Sequence, residues 1–186
     1  GMIKGYFSRR GIIYGGPLAD DSCPGALDML LKQIVTLYKN KVIYIETRNF
    51  SDYSLNKSIF RENGFHYKPY LNFKVNTGDR EAMLSAVSRS RMRQIIKAQK
   101  GSVMWREAMN LDEVICFYSM LADLYRHRIG KPLPPQEFFI NFFERGLGKY
   151  LLVWYDGRII GGMMCPVLEG KALYEFYVCG LDNIYK

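Results

Sequence analysis

The stretch Tyr150–Gly180, YLLVWYDGRIIGGMMCPVLEGKALYEFYVCG, decides the fold. Three apolar runs are separated by Asp156-Gly157 and Glu169-Gly170. Two-residue loops ending in glycine between apolar runs are hairpin signals. The spacing predicts an antiparallel meander of Tyr150–Tyr155, Arg158–Leu168 and Lys171–Cys179. Gly161-Gly162, inside the middle strand, predicts a bulge or a close backbone approach. Glu175 is the only carboxylate in the last run, and alternation puts Tyr177 on its face, with Tyr174, Phe176 and Val178 on the other. An enclosed carboxylate has a raised pKa and can take a proton from an attacking amine. The alternative is a carboxylate facing solvent or an arginine. Tyr177 is either a proton donor to a leaving group or plain packing.

Before the meander, Phe138, Phe139, Phe142 and Phe143 fall at helical spacing and predict a short core helix. Pro132, Pro134 and Pro135 predict a stiff extended link. The preceding helix has the clearest signals in the chain. Asn110 caps it, Glu113 completes a capping box, and Leu111, Val114, Ile115, Tyr118, Leu121, Ala122 and Tyr125 form its apolar stripe. Gly130 ends it. Arg126, His127 and Arg128 lie where cations offset the helix dipole. At least one arginine is explained that way; Arg128 is the candidate for a substrate carboxylate or phosphate. His127 reads as a surface residue. Val103–Ala108 predicts a strand.

Between that strand and Thr77-Gly78-Asp79, a predicted helix over Glu81–Gln99 ends at Gly101. Its second half belongs to RSRMRQIIKAQKGSVMWR, residues 89–106, with six basic residues and no acidic one. On a helix, Arg89, Arg93, Lys97 and Lys100 form one ridge, and like charges at that spacing repel. The ridge is either a solvated face or a contact for phosphate on tRNA, CoA or a lipid-linked pyrophosphate.

The first part of the chain reads β-α-β-α-β. Residues 6–18 predict a strand ending at Gly15-Gly16-Pro17, and a helix with Ser22 as cap and Pro24 in its first turn follows. Val42–Glu46 predicts a buried parallel strand. A helix over Tyr53–Asn63 stops at Gly64, and 65–76 predicts a strand that Pro69 confines to an edge. Gly15-Gly16-Pro17 lacks phosphate-loop spacing, and Pro17 removes a donor, so it reads as a bend.

Composition sets the class. The chain has 186 residues, 48% of them hydrophobic, and a net charge of +8. Residues 1–78, 79–110 and 111–186 carry +5, +4 and −1, so the basic excess is densest in the middle. Four cysteines without a C-x-x-C pair and only two histidines argue against a zinc site. Cys116, Cys165 and Cys179 sit in apolar stretches and predict buried thiols, as in a reducing cytoplasm. No secretory signal or membrane-length apolar run is present. Gly1 ahead of Met2 reads as a remnant of tag removal.

Four stretches carry a family resemblance: SRRGIIYGGPL at 8–18, SRSRMRQIIKAQKG at 88–101, RHRIGKPLPPQEFF at 126–139, and YDGRIIGGMM with YEFYVCGLDNIYK within 155–186. With the order of elements, they resemble acyltransferases of the GNAT type (the Gcn5-related N-acetyltransferase fold) and the FemAB-like peptidyltransferases, which carry two such domains in tandem. The resemblance covers nearly all of the chain.

It implies a mixed α+β fold, with a GNAT-like mixed sheet flanked by helices. Residues 1–78 would be the C-terminal half of one domain, and 79–186 the N-terminal half of the next. The implied activity is transfer of an acyl or aminoacyl group from acyl-CoA or aminoacyl-tRNA to an amine. Glu175 and Tyr177 would be catalytic, and Gly161-Gly162 would lie beside the acyl donor. Acyl-CoA would be a co-substrate, with no covalent cofactor and no metal. In such enzymes a loop and helix after the third meander strand hold the donor pyrophosphate, and the chain stops at Lys186, so it reads as a piece spanning a domain junction. Sheet edges left unpaired by that division predict pairing between copies. The alternative to a transferase is a non-catalytic module that binds nucleic acid or a phosphorylated partner through the 89–100 ridge.

Overall fold

Parallel and antiparallel strand pairing are segregated along this mixed α+β chain. The structure, a computed structural model, describes residues 9–20, 22–23 and 25–181. Pro24, residues 6–8 of the first predicted strand and 182–186 lie outside the described residues. The chain divides into two units, Gly1–Asn76 and Thr77–Lys186.

In the first unit, β1 (Arg10–Gly15) pairs in parallel with β2 (Tyr44–Asn49), and helix α1 (Ala26–Tyr38) makes the crossover. Ser22 does not cap α1. Its N–H and hydroxyl both bond Asp20 Oδ1, and the helix starts from Gly25 at φ 82°. Gly15, the last residue of β1, and Gly16 after it are both left-handed, and a Cβ on Gly16 would lie 2.2 Å from Asn49 Oδ1. Glycine is therefore required at Gly16 on two counts.

A 3-10 turn (Ser54–Asn56) and a short helix α2 (Lys57–Glu62) replace the single predicted helix, and Gly64 follows at φ 82°. Asp28 of α1 accepts from Lys32 Nζ at 2.6 Å and Asn63 Nδ2 at 2.8 Å, tying the two helices. Those bonds, Lys32's first, hold its carboxyl below the usual range. The predicted strand over 65–76 does not form. Its alternation leaves Leu71, Phe73 and Val75 exposed, and Asn72 donates to the Asn49 carbonyl of β2 at 3.3 Å.

The apolar core of this unit is thin. Leu27 and Leu31 of α1, with Pro17 beyond β1, are its buried apolar side chains among the described residues. Each leucine contributes about 1.5–3 kcal/mol, while ordering one residue's backbone costs about 1–2 kcal/mol. Two leucines therefore offset the ordering of only a few residues.

In the second unit, the single predicted basic helix is two. Asp79 caps α3 (Arg80–Ser85) by accepting from the Ala82 N–H at 3.0 Å. Ser88, extended at φ −58° and ψ 147°, caps α4 (Arg89–Lys100) by accepting from the Arg91 N–H at 3.3 Å. Then come β3 (Met104–Glu107) and α5 (Leu111–Leu124). Asn110 caps α5, accepting from the Glu113 N–H at 3.0 Å. The last turn of this helix widens into a π turn (Tyr125–Ile129), closed by the Gly130 N–H on the Tyr125 carbonyl and by Gly130 at φ 65°. Helix α6 (Gln136–Glu144) carries Phe138, Phe139, Phe142 and Phe143.

The meander forms β4 (Gly148–Tyr155), β5 (Arg158–Leu168), β6 (Ala172–Leu173) and β7 (Tyr177–Gly180). Strands run antiparallel in the order β3-β4-β5-β7, and β6 pairs with the far end of β5. The third predicted strand is thus broken. Val167 faces Leu173 while Met164 faces Tyr177, so two residues of β5 span the same distance as Tyr174, Glu175 and Phe176. A second slip leaves Ile160 as an extra residue in β5 beside Gly161.

The core of this unit joins α5, α6 and the sheet. Val114, Phe117, Leu121, Phe139, Phe142, Tyr150, Leu152, Met164 and Cys179 are buried together. Tyr150 meets Phe117 and Phe142 edge-on, with ring centroids 5.5 and 5.7 Å apart. Both tryptophans, Trp105 and Trp154, belong to this unit, so their fluorescence reports its unfolding. Urea titration should show Phe117→Ala costing about 3–5 kcal/mol and Asn110→Ala about 1 kcal/mol. Equal losses from the two would contradict this core and cap.

Candidate functional site

The cations Arg89, Arg93, Lys97 and Lys100 lie on one side of α4, and all are exposed. Among the described residues none of them has an ion-pair partner within 4.0 Å. Arg91, off the ridge, donates to Gln94 Oε1 at 3.0 Å. Arg106 leaves the basic set altogether. Its guanidinium holds Glu113 through two bonds of 2.9 and 2.6 Å and lies over the Trp154 ring at 4.4 Å. That contact, with a bond from the Met109 N–H, keeps the Glu113 carboxyl below its usual range. The reach of Glu113 back to Met109, one residue before the cap, replaces the expected capping-box bond to Asn110.

Beside the ridge, α3 and α4 enclose an open groove of ≈580 Å³ lined by Leu84, Val87, Arg89, Met92 and Arg93. Leu84, Val87 and Met92 supply its apolar lining, and Arg89 and Arg93 its basic residues. The helix break at Ser88 creates this groove, and a continuous helix would have none. The signal available in the sequence was Ser88 itself, a good capping residue ahead of Arg91.

Arg128 is exposed in the π turn that follows α5. Neighbouring His127 is partnered, its Nδ1 lying 2.9 Å from Asp123 Oδ1.

In the meander the close approach expected at Gly161-Gly162 forms, while the enclosure expected of Glu175 does not. Gly161 and Gly162 are both buried. A Cβ on Gly162 would lie 2.8 Å from the Leu151 carbonyl oxygen, and one on Gly161 would lie 3.0 Å from that of Cys179. These glycines let three strands approach, the close backbone contact that the sequence predicts there.

Glu175 is exposed in the bulge between β6 and β7, not enclosed. Tyr177, half-buried, packs against Phe176, Phe139 and Tyr125, with centroids 4.5, 5.3 and 6.2 Å away. The two residues therefore do not share a face, and no bond joins either to the α4 ridge among the described residues. The Phe176 N–H bonds the Met164 carbonyl and the Tyr174 N–H that of Pro166. Glu175's N–H, between them, has no backbone partner among the described residues.

The thiols divide two and two. Cys165 and Cys179 are buried, while Cys116, expected inside, is exposed with Cys23. Burial first, then the charge of Glu175, pushes the Cys165 thiol up to about 11. Burial pushes Cys179 up to about 12, with a lesser contribution from Cys116. Among the described residues no group of three His, Cys, Asp or Glu side chains could hold a metal ion. No helix there is long and apolar enough to cross a membrane.

No family model matches the chain, and no curated protein matches it in sequence.

The buried thiols fix a pH dependence. Below the ordinary thiol pKa of 9.0, neither folded nor unfolded chain ionises them. Above it, the unfolded chain releases these protons and the folded one holds them, so stability falls until pH passes about 11–12. The urea midpoint should drop between pH 9 and 11, and Cys165→Ala should shallow that drop. A midpoint flat across this range would contradict the burial.

Proposed function

We propose that the chain belongs to a GNAT-type or FemAB-like transferase that moves an acyl group from acyl-CoA, or an aminoacyl group from aminoacyl-tRNA, to an amine. The observation that carries this reading is the sequence of pairings. A parallel β-α-β pair comes first, and then, after a helix pair, an antiparallel sheet in the order β3-β4-β5-β7. The resemblance implies that order for the end of one half-domain and the start of the next.

In this reading Glu175, at the bulge, takes the proton from the attacking amine. The amine nitrogen bonds to the carbonyl carbon, the thioester or ester bond breaks, and the proton goes on to the leaving group. Tyr177 keeps a packing role and supports the bulge. The reading brings a cytoplasmic location, no covalent cofactor, and pairing between copies through open sheet edges. The ridge of Arg89, Arg93, Lys97 and Lys100, without an ion-pair partner among the described residues, favours a second reading, a module that binds nucleic acid or a phosphorylated partner through α4.

Radiolabelled acyl-CoA or aminoacyl-tRNA, incubated with mixed amines and the protein from its natural reading frame, should yield labelled amide. Glu175→Gln should lower that yield about 100-fold or more. No transfer from either donor by folded protein would overturn the transferase reading.

A further inference from the structure

Helix α4 presents a second surface property beside its charge. Met92, Ile95 and Ile96 fall on one stripe, at spacings of three and four, next to the ridge of Arg89, Arg93, Lys97 and Lys100. Ile95 is 39% exposed and Ile96 44%, and α4 has no buried residue. Across the groove, Leu84 of α3 is 39% exposed. From residue 82 to residue 106 the chain has no acidic side chain. Apart from Glu81 in the first turn of α3, the α3–α4 pair therefore combines cations that have no ion-pair partner among the described residues with uncovered aliphatics on adjoining faces.

We propose that this pair docks the protein on an anionic lipid bilayer, with α4 lying in the plane of the headgroups. The long arginine and lysine stems would let their charged ends reach lipid phosphates while Ile95, Ile96, Met92 and Leu84 enter the acyl boundary. An aliphatic stripe decides between a bilayer and a nucleic acid. Against a phosphodiester backbone, Ile95 and Ile96 would stay in water, and α4 has no aromatic residue on which a base could stack. At a bilayer both faces gain, since anionic headgroups attract the basic residues and the boundary takes the apolar ones. The groove repeats the same combination, lined by Arg89 and Arg93 together with Leu84, Val87 and Met92.

Sedimentation with phosphatidylcholine vesicles, with and without phosphatidylserine, tests this. The chain should bind the anionic vesicles, release them as salt rises, and leave the neutral ones unbound. Arg93→Glu with Lys97→Glu should weaken binding at least about tenfold, and Ile95→Ser with Ile96→Ser about tenfold. All four side chains are exposed, so both double variants should keep the parent's circular dichroism. Glu175→Gln should bind vesicles as the parent does, which separates this result from the transferase reading. Binding to neutral and anionic vesicles alike would overturn the proposal. So would anionic binding unchanged by the isoleucine pair, or no vesicle binding alongside salt-sensitive binding to tRNA; the last outcome would assign α4 to nucleic acid.

Discussion

The second unit is organised around one buried phenol. Tyr150 is 1% exposed, its ring lies between Phe117 of α5 and Phe142 of α6, and its hydroxyl donates to the Phe139 carbonyl at 2.8 Å. Burial raises the phenol's pKa above its usual range, so it stays a donor. A buried hydroxyl without that acceptor would carry a desolvation cost of about 1–3 kcal/mol. The bond therefore fixes where α6 sits on β4. Gly148, two residues earlier, is needed for the same fit, because a Cβ there would lie 2.6 Å from the Phe142 ring and 2.1 Å from the Cys165 carbonyl oxygen. Sheet and helices meet through this strand; β5 takes its position by pairing with it, and β7 by pairing with β5.

The first unit has no equivalent. Its strands are joined by six residue pairs in parallel register, and its helices by the bonds of Asp28. Both faces of a two-stranded parallel sheet need cover, and parallel sheets rarely stand without it. Tyr14, Ile43, Tyr44 and Phe50, on or beside the strands, are exposed. So are Leu71, Phe73 and Val75 beyond them. Their exposure leaves this small sheet with little apolar cover. The same shortage explains the missing strand at 65–76. Alternation of side chains is written in the sequence, but a strand forms only where a neighbour supplies hydrogen bonds, and Pro69 removes one donor.

Local signals were legible where local chemistry decides the outcome. The Asn110 cap, the Asp156-Gly157 and Glu169-Gly170 turns and the β-α-β crossover each rest on backbone preferences within a few residues. Features that depend on contacts distant in sequence were not. Arg106 reads as one more cation in a basic run, yet Glu113 neutralises it and Trp154 stacks beneath it. Cys116 sits in an apolar stretch but falls on the outer side of α5, between the inward residues Val114 and Phe117. Apolar periodicity names the stripe, and the neighbours of the stripe decide each side chain's surroundings.

The fate of Glu175 shows why one inserted residue matters more than the pattern around it. Strict alternation back from buried Cys179 puts Tyr177 and Glu175 on the same inward face. An ionised carboxylate in that aromatic cluster would have neither water nor a cation, and the effective cost of such burial is several kcal/mol. The slip between Leu173 and Tyr177 removes the conflict. It turns Glu175 outward while Phe176 and Tyr177 both stay against the core, their rings 4.5 Å apart. The bulge is therefore the arrangement in which this strand can keep two adjacent aromatic rings packed and a carboxylate in water. It also takes the Glu175 N–H out of the ladder, between the Tyr174 and Phe176 N–H groups that bond to the Pro166 and Met164 carbonyls of β5.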